Sequence, residues 1–275
     1  MRTRRDRPGS PDVERCALRV AARALGNIGT AGGGANIFRG HDNVQGATDI
    51  GPNPDTLPGY YPVAVPGSWN HWARVWNVDP KWIADRYAPG MQAKPGMTVS
   101  RWIDGVTEKN EAIDQGPNLK AIFYWGHAPN SQSRGLEMLE AMKKLELMVV
   151  LDPYPSASAA MFAKVRKEGA YLLPIATQLE TEGSATASNR SLQWREKVID
   201  PVFESRTDHM VMYQLAEKLG FGKELIGQKG DGKPNIALVK GKGGVEPSME
   251  DTLREINRGA WTIGYTGQSP ERIQA

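Results

Sequence analysis

The chain has 275 residues, of which 40% are hydrophobic and 24% charged, and its formal net charge is +3. These values indicate a globular protein with a real core, and the charge is too small to favour nucleic acid or a membrane surface as a partner. Cys16 is the only cysteine, which excludes an intramolecular disulfide and an iron–sulfur cluster held by this chain alone. The four histidines do not have metal-ligand spacing.

The first segment of the sequence is basic and irregular. Four arginines precede any periodic pattern: Arg2, Arg4, Arg5 and Arg7. We interpret residues 1–24 as a disordered leader, although residues 17–25 are spaced as a short helix that ends at Gly26. The arginines lack the apolar segment of a signal peptide, and the sequence has no apolar run that could span a bilayer. We therefore expect neither an export signal nor a membrane span in this chain.

Residues 25–59 combine many glycines with polar side chains. The run Gly32, Gly33 and Gly34 is typical of backbone that needs positive φ angles or approaches a ligand closely. Hydrogen-bonding side chains lie nearby: Asn36, Arg39, His41, Asp42, Asn43, Gln45, Thr48 and Asp49. They suit a polar ligand with phosphates and heteroaromatic edges. Neither the G-x-G-x-x-G nor the G-x-x-x-x-G-K-[ST] fingerprint is present, so an ordinary ordered loop and a ligand cradle both remain open.

Two helical segments follow. Residues 68–87 place several tryptophans near helical spacing, and we interpret these as a packing face rather than a binding platform. Residues 98–115 predict another helix, with Trp102, Ile103 and Val106 on its apolar side.

The pattern over residues 119–176 indicates a parallel α/β layer. Residues 119–125 and 147–151 are short apolar runs, and residues 133–144 between them place Leu136, Leu139 and Met142 at helical spacing. Strand, helix and strand at this spacing predict a right-handed βαβ unit in a sheet covered on both faces. Residues 171–176 predict a third strand.

Ligands of open parallel sheets bind outside the carboxyl ends of the strands. Three polar loops would lie there: residues 126–134, 152–158 and 177–190. His127 follows the first strand directly, so His127 and Asn130 are candidate ligand contacts. For Glu180, Glu182 and Arg190 of the third loop, contacts between loops are favoured over acid–base chemistry.

The remaining sequence predicts two helices. Residues 207–219 form one, closed by Gly220, with Met210, Val211, Leu215 and Leu219 facing inward. Residues 248–258 form the other, with Ser248 and Asp251 as a capping pair. The stretch 227–244 between them has no periodic pattern and predicts a mobile surface excursion.

Taken together, these patterns predict an α/β fold with a parallel βαβ core, covering helices and a long glycine-rich loop. We divide the sequence into the leader 1–24, the glycine-rich loop with its tryptophan-rich helical region at 25–118, the α/β region at 119–222, and the flexible excursion with its C-terminal helix at 223–275.

Three motifs carry a resemblance: NIFRGHDNVQGATDIG at residues 36–51, WGHAPNSQSRGLEM at 125–138 and QLETEGSATASNRSLQWREKVIDP at 178–201. In these motifs the chain resembles an internal part of the alpha subunit of molybdenum- or tungsten-dependent formate dehydrogenases, which belong to the molybdopterin oxidoreductase family. The resemblance runs from about Leu25 to the C-terminus, and residues 1–24 match less clearly.

The resemblance implies a catalytic subunit that holds bis-molybdopterin guanine dinucleotide with molybdenum or tungsten, and a 4Fe-4S cluster in the full subunit. It implies formate oxidation to carbon dioxide, with electrons passed to an iron–sulfur subunit, and many relatives are periplasmic. The family's cluster cysteines and its metal-ligating Cys or selenocysteine lie upstream of the matched stretch. Cys16 lies in the poorly matching segment, so we do not assign it as the metal ligand. We assign no catalytic residue.

In relatives the RGxxNVQG-type loop lies beside the pterin. Carried over to matched positions, the resemblance implies cofactor contacts for Arg39, Gly40, Asn43, Gln45 and Gly46, with Asp49 supporting the loop. Arg39 suits a phosphate or pterin carbonyl, and the amides of Asn43 and Gln45 suit the edge of a pterin. Glycines allow backbone N–H groups to come close to the ligand.

Four interpretations of function remain open. The first is a formate dehydrogenase fragment that supplies part of the cofactor site and is inactive alone. The second is a non-catalytic pterin- or nucleotide-binding module, whose core would be self-contained, without a large exposed apolar patch. The third is the product of a truncated gene, and a fragment of another molybdopterin oxidoreductase is also compatible with the motifs.

Overall fold

The computed structural model describes residues 17, 20–34, 41–50, 56–86, 97, 101–108, 117–127, 134–227, 233–265 and 267–275. The predicted site residues Arg39, Gly40 and Asn130 lie outside the described residues. Residues 20–24 are helical and are followed by a turn at Leu25 and Gly26, as the spacing predicts.

The first labelled elements are α1 (Val44–Asp49), the antiparallel strands β1 (Thr56–Leu57) and β2 (Tyr61–Pro62), and the helices α2 (Pro66–Trp76) and α3 (Pro80–Arg86). The sequence predicted helical spacing throughout residues 68–87, and the structure divides this stretch into two helices. Asn77 takes a left-handed conformation at φ 55° that ends α2, and Pro80 begins α3. Proline suits the first turn of a helix because its missing N–H has no intrahelical partner there.

The tryptophans of α2 are packing residues. Trp69 and Trp72 are buried in an apolar cluster with Leu57, Val63 and Ile83. The indole of Trp69 donates to the carbonyl of Val63 at 2.7 Å. The predicted packing face is therefore confirmed.

The central layer is a three-stranded parallel sheet. Its elements in chain order are α4 (Trp102–Thr107), β3 (Ala121–Trp125), α5 (Gly135–Lys144), β4 (Leu147–Asp152), α6 (Ala157–Val165) and β5 (Ala170–Pro174). The strands lie in the order β3-β4-β5, both pairs are parallel, and Tyr124 is in register with Val150. This confirms the predicted α/β fold and its βαβ unit.

One face of the sheet carries the largest apolar core. Met148 and Val150 of β4 pack there against the helices α4, α5 and α6. The buried face of α5 consists of Met138, Ala141 and Met142, while Leu136 is 83% exposed. Leu136 falls at helical spacing with Met142, but α5 turns the stripe of Met138 and Met142 toward the sheet and leaves Leu136 outside.

The other face of the sheet is only partly covered. Val149 and Leu151 pack against Ile175 and Val211. Phe123 and Tyr171 flank Val149 in register on this face, and both are about half exposed. The predicted cover on both faces is therefore incomplete within the described residues.

The second half of the chain contains an antiparallel hairpin and two helices. These are β6 (Gly183–Thr186), β7 (Leu192–Arg195), α7 (Asp208–Leu219) and α8 (Gly222–Ile226). Gly220 ends α7 at φ 87°, as predicted, whereas Thr207, predicted as the first residue of the helix, is its N-cap. Its buried stripe is Met210, Tyr213 and Ala216, so the inward placement of Leu215 and Leu219 is wrong.

The C-terminal part contains a second hairpin, which the sequence analysis missed. The elements are β8 (Leu238–Gly241), β9 (Gly244–Pro247), α9 (Met249–Gly259), a 3-10 turn (Trp261–Ile263) and α10 (Pro270–Gln274). The predicted excursion at 227–244 is wrong from Leu238 onward: Gly243 and Gly244 both have positive φ, which closes a tight turn between two strands. The predicted capping pair is confirmed, because Ser248 accepts from the Asp251 N–H.

Candidate functional site

The short helix α1 is joined to the β6–β7 hairpin through Asn43. Asn43 precedes α1 in the left-handed region at φ 54°, which asparagine tolerates better than most residues. Its side-chain oxygen accepts a hydrogen bond from the Thr186 N–H at 3.0 Å. The contact joins segments 143 residues apart in the sequence.

Asp49 is the centre of a buried polar cluster. Its carboxylate is 0% exposed and accepts hydrogen bonds from the Gln45 amide at 2.7 Å and the Tyr265 hydroxyl at 3.2 Å. The guanidinium of Arg190 lies 3.5 Å from the same carboxylate. A buried carboxylate needs such partners because it has lost its hydration. Asp49 thus links α1 to Arg190 and Tyr265, while its predicted place at the cofactor stays a prediction.

Tyr265 completes this cluster by a second contact. Burial raises the pKa of Tyr265 to about 12, so the hydroxyl stays protonated at neutral pH. The Tyr265 hydroxyl donates its hydrogen bond to Asp49, because a carboxylate can only accept. The hydroxyl of Thr186, 2.6 Å away, therefore donates to the Tyr265 oxygen. One hydroxyl therefore bonds both α1 and β6.

A cavity of about 260 Å³ lies beside this cluster. Its walls come from α1, the β6–β7 hairpin, the start of α7, and α9. The residues that line it include Asn43, Gly46, Thr181, Glu182, Gly183, Ser184, Thr186, Arg195, Asp208, His209, Thr252, Ile256 and Tyr265. Two predicted site residues, Asn43 and Gly46, thus share one cavity with the third predicted loop.

Two glycines shape the wall of this cavity. A Cβ at Gly46 would lie 2.1 Å from the side-chain oxygen of Asn43, so only glycine allows that close approach. Gly183 has φ 146°, and a Cβ built there would meet nothing within 4 Å. The backbone at Gly183 therefore faces open space that a ligand could occupy.

Charged side chains of both signs border the cavity. Arg195 donates to the carbonyl of Thr181 at 2.7 Å, and Asp208 accepts a hydrogen bond from the indole of Trp125 at the end of β3. His209 Nε2 lies 3.3 Å from Glu246. Burial opposes ionisation of Glu246, but the hydrogen bonds from His209 and Thr207 hold its pKa below the usual value. The wall thus offers both donors and acceptors to a polar ligand.

Glu180 anchors the loop that leads into the hairpin. Its carboxylate is buried and accepts from the N–H groups of Thr177 at 2.6 Å and Val202 at 2.7 Å. These backbone hydrogen bonds, the one from Thr177 foremost, hold the pKa of Glu180 below its usual value despite burial. Together with the Arg190–Asp49 pair, this fits the contacts between loops that the sequence favoured for this segment.

His127 lies apart from the cavity lining. It follows the carboxyl end of β3, and its ring stacks on Tyr124 with centroids 5.8 Å apart. The predicted cofactor contact of His127 stays a prediction, as do those of Arg39, Gly40 and Asn130, which the structure does not describe.

The part of the chain that the structure describes shows no metal site. No three or more His, Cys, Asp or Glu side chains gather there as a metal would require. Among the same residues, every helix is too short or too polar to cross a membrane.

Comparison with known proteins identifies the family. The molybdopterin oxidoreductase family matches residues 16–218, well over half of the chain. The chain belongs to the molybdopterin oxidoreductase family. The matched region contains α1, the parallel sheet, the β6–β7 hairpin and most of α7, but not α9 or Tyr265.

Individual relatives agree with this assignment. The chain is 34% identical over 198 residues to "Probable oxidoreductase YjgC" of Bacillus subtilis, a match covering 72% of this chain and 18% of the relative. It is 30% identical over 207 residues to the F420-dependent formate dehydrogenase subunit alpha of Methanocaldococcus jannaschii. This match covers 75% of this chain and 26% of the relative. Formate dehydrogenase H of Escherichia coli is 29% identical over 206 residues, a match that covers 74% of this chain and 25% of the relative. The chain thus spans between 18% and 26% of the length of these relatives.

The family implies a molybdopterin cofactor, and the cavity fits one part of such a molecule. About 260 Å³ lies below the usual ~300–1,000 Å³ of small-molecule pockets, so the cavity suits one ring system rather than a whole dinucleotide. Its open glycine wall and mixed hydrogen-bonding groups suit a heteroaromatic edge. The carboxylates and the imidazole of its lining do not gather as a metal site requires, so we assign no residue of the cavity to the metal.

Several residues of the cavity escaped the sequence analysis. Asp208, His209 and Tyr265 reach the site from segments remote from α1, and no local pattern signals them. Thr186 lies in the polar loop 177–190, of which only Glu180, Glu182 and Arg190 were considered.

Proposed function

We propose that this chain supplies part of the molybdopterin guanine dinucleotide site of an enzyme that oxidises formate to carbon dioxide. The observation that carries the proposal is the cavity shared by Asn43 and Gly46 of the NVQG segment and by Gly183 and Ser184 of the hairpin. Both segments belong to motifs that resemble formate dehydrogenase alpha subunits, and two relatives bear that enzyme's name.

The chain's own residues would bind and orient one arm of the cofactor. Asn43, Ser184 and Thr252 offer hydrogen-bonding groups at the cavity wall, while the backbone at Gly183 allows a flat ring to approach. The bound cofactor, with molybdenum or tungsten, would supply the two-electron chemistry. The metal ligand, the 4Fe-4S cluster and an electron-accepting iron–sulfur subunit would be supplied by protein outside this chain.

The exposed apolar surface supports a role within a larger assembly. Phe123 and Tyr171 are about half exposed on the second sheet face, and Phe203 is 92% exposed. Soluble proteins rarely leave large apolar side chains together on one face unless another protein surface covers them. The rival proposal of a self-contained pterin- or nucleotide-binding module is less well supported for this reason.

The cavity can be blocked without changing the hairpin turn. We would produce the chain in a host that makes the cofactor, and measure bound pterin by fluorescence after oxidation. Ser184→Phe should fill the cavity and reduce bound pterin at least about tenfold, the loss expected when a ligand's hydrogen-bonded site is occluded. Ser191→Phe, at an exposed position of the same hairpin, is the matched control and should bind pterin as the wild type does.

Equal pterin content in Ser184→Phe and wild type would reject this cavity as the site. A wild-type chain without pterin would reject the proposed function. We also predict that the purified chain alone does not oxidise formate, because neither a metal ligand nor an electron path is assigned to its residues. Turnover with a dye acceptor would overturn that prediction.

A further inference from the structure

Tyr265 lies outside the family match at residues 16–218, yet it contacts the centre of the candidate site. It is 5% exposed and follows the 3-10 turn at the end of α9. Its hydroxyl bonds Asp49 of α1 and Thr186 of β6, which are separated from it by 216 and 79 residues. Thr252 and Ile256 of α9 line the same cavity.

The three segments form a closed set of hydrogen bonds. Asn43 accepts from the Thr186 N–H, Thr186 Oγ1 donates to Tyr265, and Tyr265 donates to Asp49, which ends α1. Asn43 and Asp49 stand at opposite ends of the one short helix. The distance between α1 and β6 is therefore fixed at both ends of α1. At the Asn43 end the Thr186 N–H makes the contact, and at the Asp49 end the Tyr265 hydroxyl does.

We infer that Tyr265 is a positioning residue for the cavity, and that the ligand site of this protein extends into the C-terminal segment. The ligand class, a pterin or the ring of a nucleotide arm, rests on the proposed function, whereas the positioning role rests on the hydrogen bonds alone. Tyr265 sets the distance between Gly46 and the hairpin rather than contacting reacting atoms.

Removal of the hydroxyl should loosen both walls at once. In Tyr265→Phe, Asp49 keeps Gln45 and Arg190 but loses one donor, and the Thr186 hydroxyl loses its acceptor. The ring itself still fills its buried position among Ala260 and Ile263, so the variant should fold. The expected defect is local, in α1 and β6.

Tyr213→Phe provides a matched control. Tyr213 is also buried, at 6% exposure, and its hydroxyl donates to a carboxylate, that of Glu217. Both residues belong to α7, so this hydroxyl joins no separate segments, and Tyr213 does not line the cavity.

The first measurement is amide hydrogen exchange of the full chain. Tyr265→Phe should speed exchange in residues 43–50 and 183–186 about tenfold, the effect of losing one hydrogen bond to a charged group, with β4 unchanged. Tyr213→Phe should leave both stretches at the wild-type rate. Unchanged exchange in Tyr265→Phe, or equal acceleration in both variants, would overturn the inference.

The second measurement is pterin content after production in a cofactor-making host, expressed per folded protein. The pterin content of Tyr265→Phe should be at least about tenfold lower than that of Tyr213→Phe. Wild-type content in Tyr265→Phe would overturn the positioning role even if exchange changed. A wild type without pterin would reject the proposed function alone, and the exchange result would then decide for or against Tyr265.

Discussion

The sheet core and the Asp49 cluster are held together by different means. The core under the sheet comes from one stretch, residues 97–170, and buries Met138, Met142 and Met148 with directionless apolar contacts. The Asp49 cluster joins residues 43–49, 186–190 and 265 through directional hydrogen bonds around one charge. Apolar contact tolerates small shifts and stabilises the fold, whereas hydrogen bonds fix distances and position the walls of a cavity.

The largest effect should come from the sheet core. Met138→Ala should lower the free energy of unfolding by about 2–5 kcal/mol, because the side chain is fully buried and leaves a cavity. Leu136→Ala in the same helix should cost less than about 0.5 kcal/mol, since Leu136 is exposed. Urea denaturation measures both, and similar losses would show that the face of α5 is assigned wrongly.

Asp49→Asn should be nearly as severe, although it changes no volume. The NH2 group of the new asparagine would face the N–H of Gln45 or the O–H of Tyr265, donor against donor. We expect the free energy of unfolding to fall by about 2–3 kcal/mol and the bound pterin to be lost. The control is Asp42→Asn at an exposed position before α1, where little change is expected. A tolerated Asp49→Asn would mean that the cluster does not depend on the charge.

Gly46→Ala tests whether the tight contact of Gly46 with Asn43 outweighs the greater helix propensity of alanine. Alanine favours a helix by up to about 1 kcal/mol over glycine, but here its Cβ would displace Asn43 from the Thr186 N–H. We expect a net destabilisation of about 1–3 kcal/mol and loss of pterin. Gly135→Ala in α5 meets nothing within 4 Å and should not destabilise. Thermal melting of the two variants compares them directly, and equal shifts would contradict the tight contact at Gly46.

The smallest effect concerns pH. Burial raises the pKa of Glu255, against the hydrogen bond that its carboxylate accepts from Trp76. A raised folded-state pKa makes protonation stabilising at low pH, and this contribution is lost as the pH rises through the folded pKa. Glu255→Gln keeps an acceptor for Trp76 and should raise stability by up to about 1 kcal/mol at pH 7.5, with no gain near pH 4.

The control for this pH series is Glu168→Gln, at an exposed position. Denaturation at several pH values should show no trend for this variant relative to wild type. A gain for Glu255→Gln that is equal at pH 4 and 7.5 would exclude the charge as its cause.

The sequence predicted best where structure follows local periodicity. Neighbours in the chain determine the strands near 119–125, 147–151 and 171–176. They also determine the helix stop at Gly220, the helix cap at Ser248 and the tryptophan packing. Helix faces were harder, because Leu136 and Met138 fit an apolar stripe equally well until the neighbouring elements are known. The β8–β9 hairpin was missed because its strands carry lysine and glycine instead of an alternating apolar pattern.

The site was predictable only in part. Asn43, Gln45, Gly46 and Asp49 stood out through their motif, but the partners that define the cavity lie far along the chain. Nothing near Tyr265 signals a buried hydroxyl, because its role depends on where α9 ends relative to α1. Contacts between segments over 200 residues apart leave no periodic trace in one sequence.

The most direct test of the account is to locate the cofactor by hydrogen exchange, comparing pterin-loaded with pterin-free protein. We predict protection of residues 43–50 and 181–186 on loading, with β3, β4 and β5 unchanged. Protection confined to other segments, or no protection anywhere in the loaded protein, would contradict the claim that this cavity holds part of the molybdopterin cofactor.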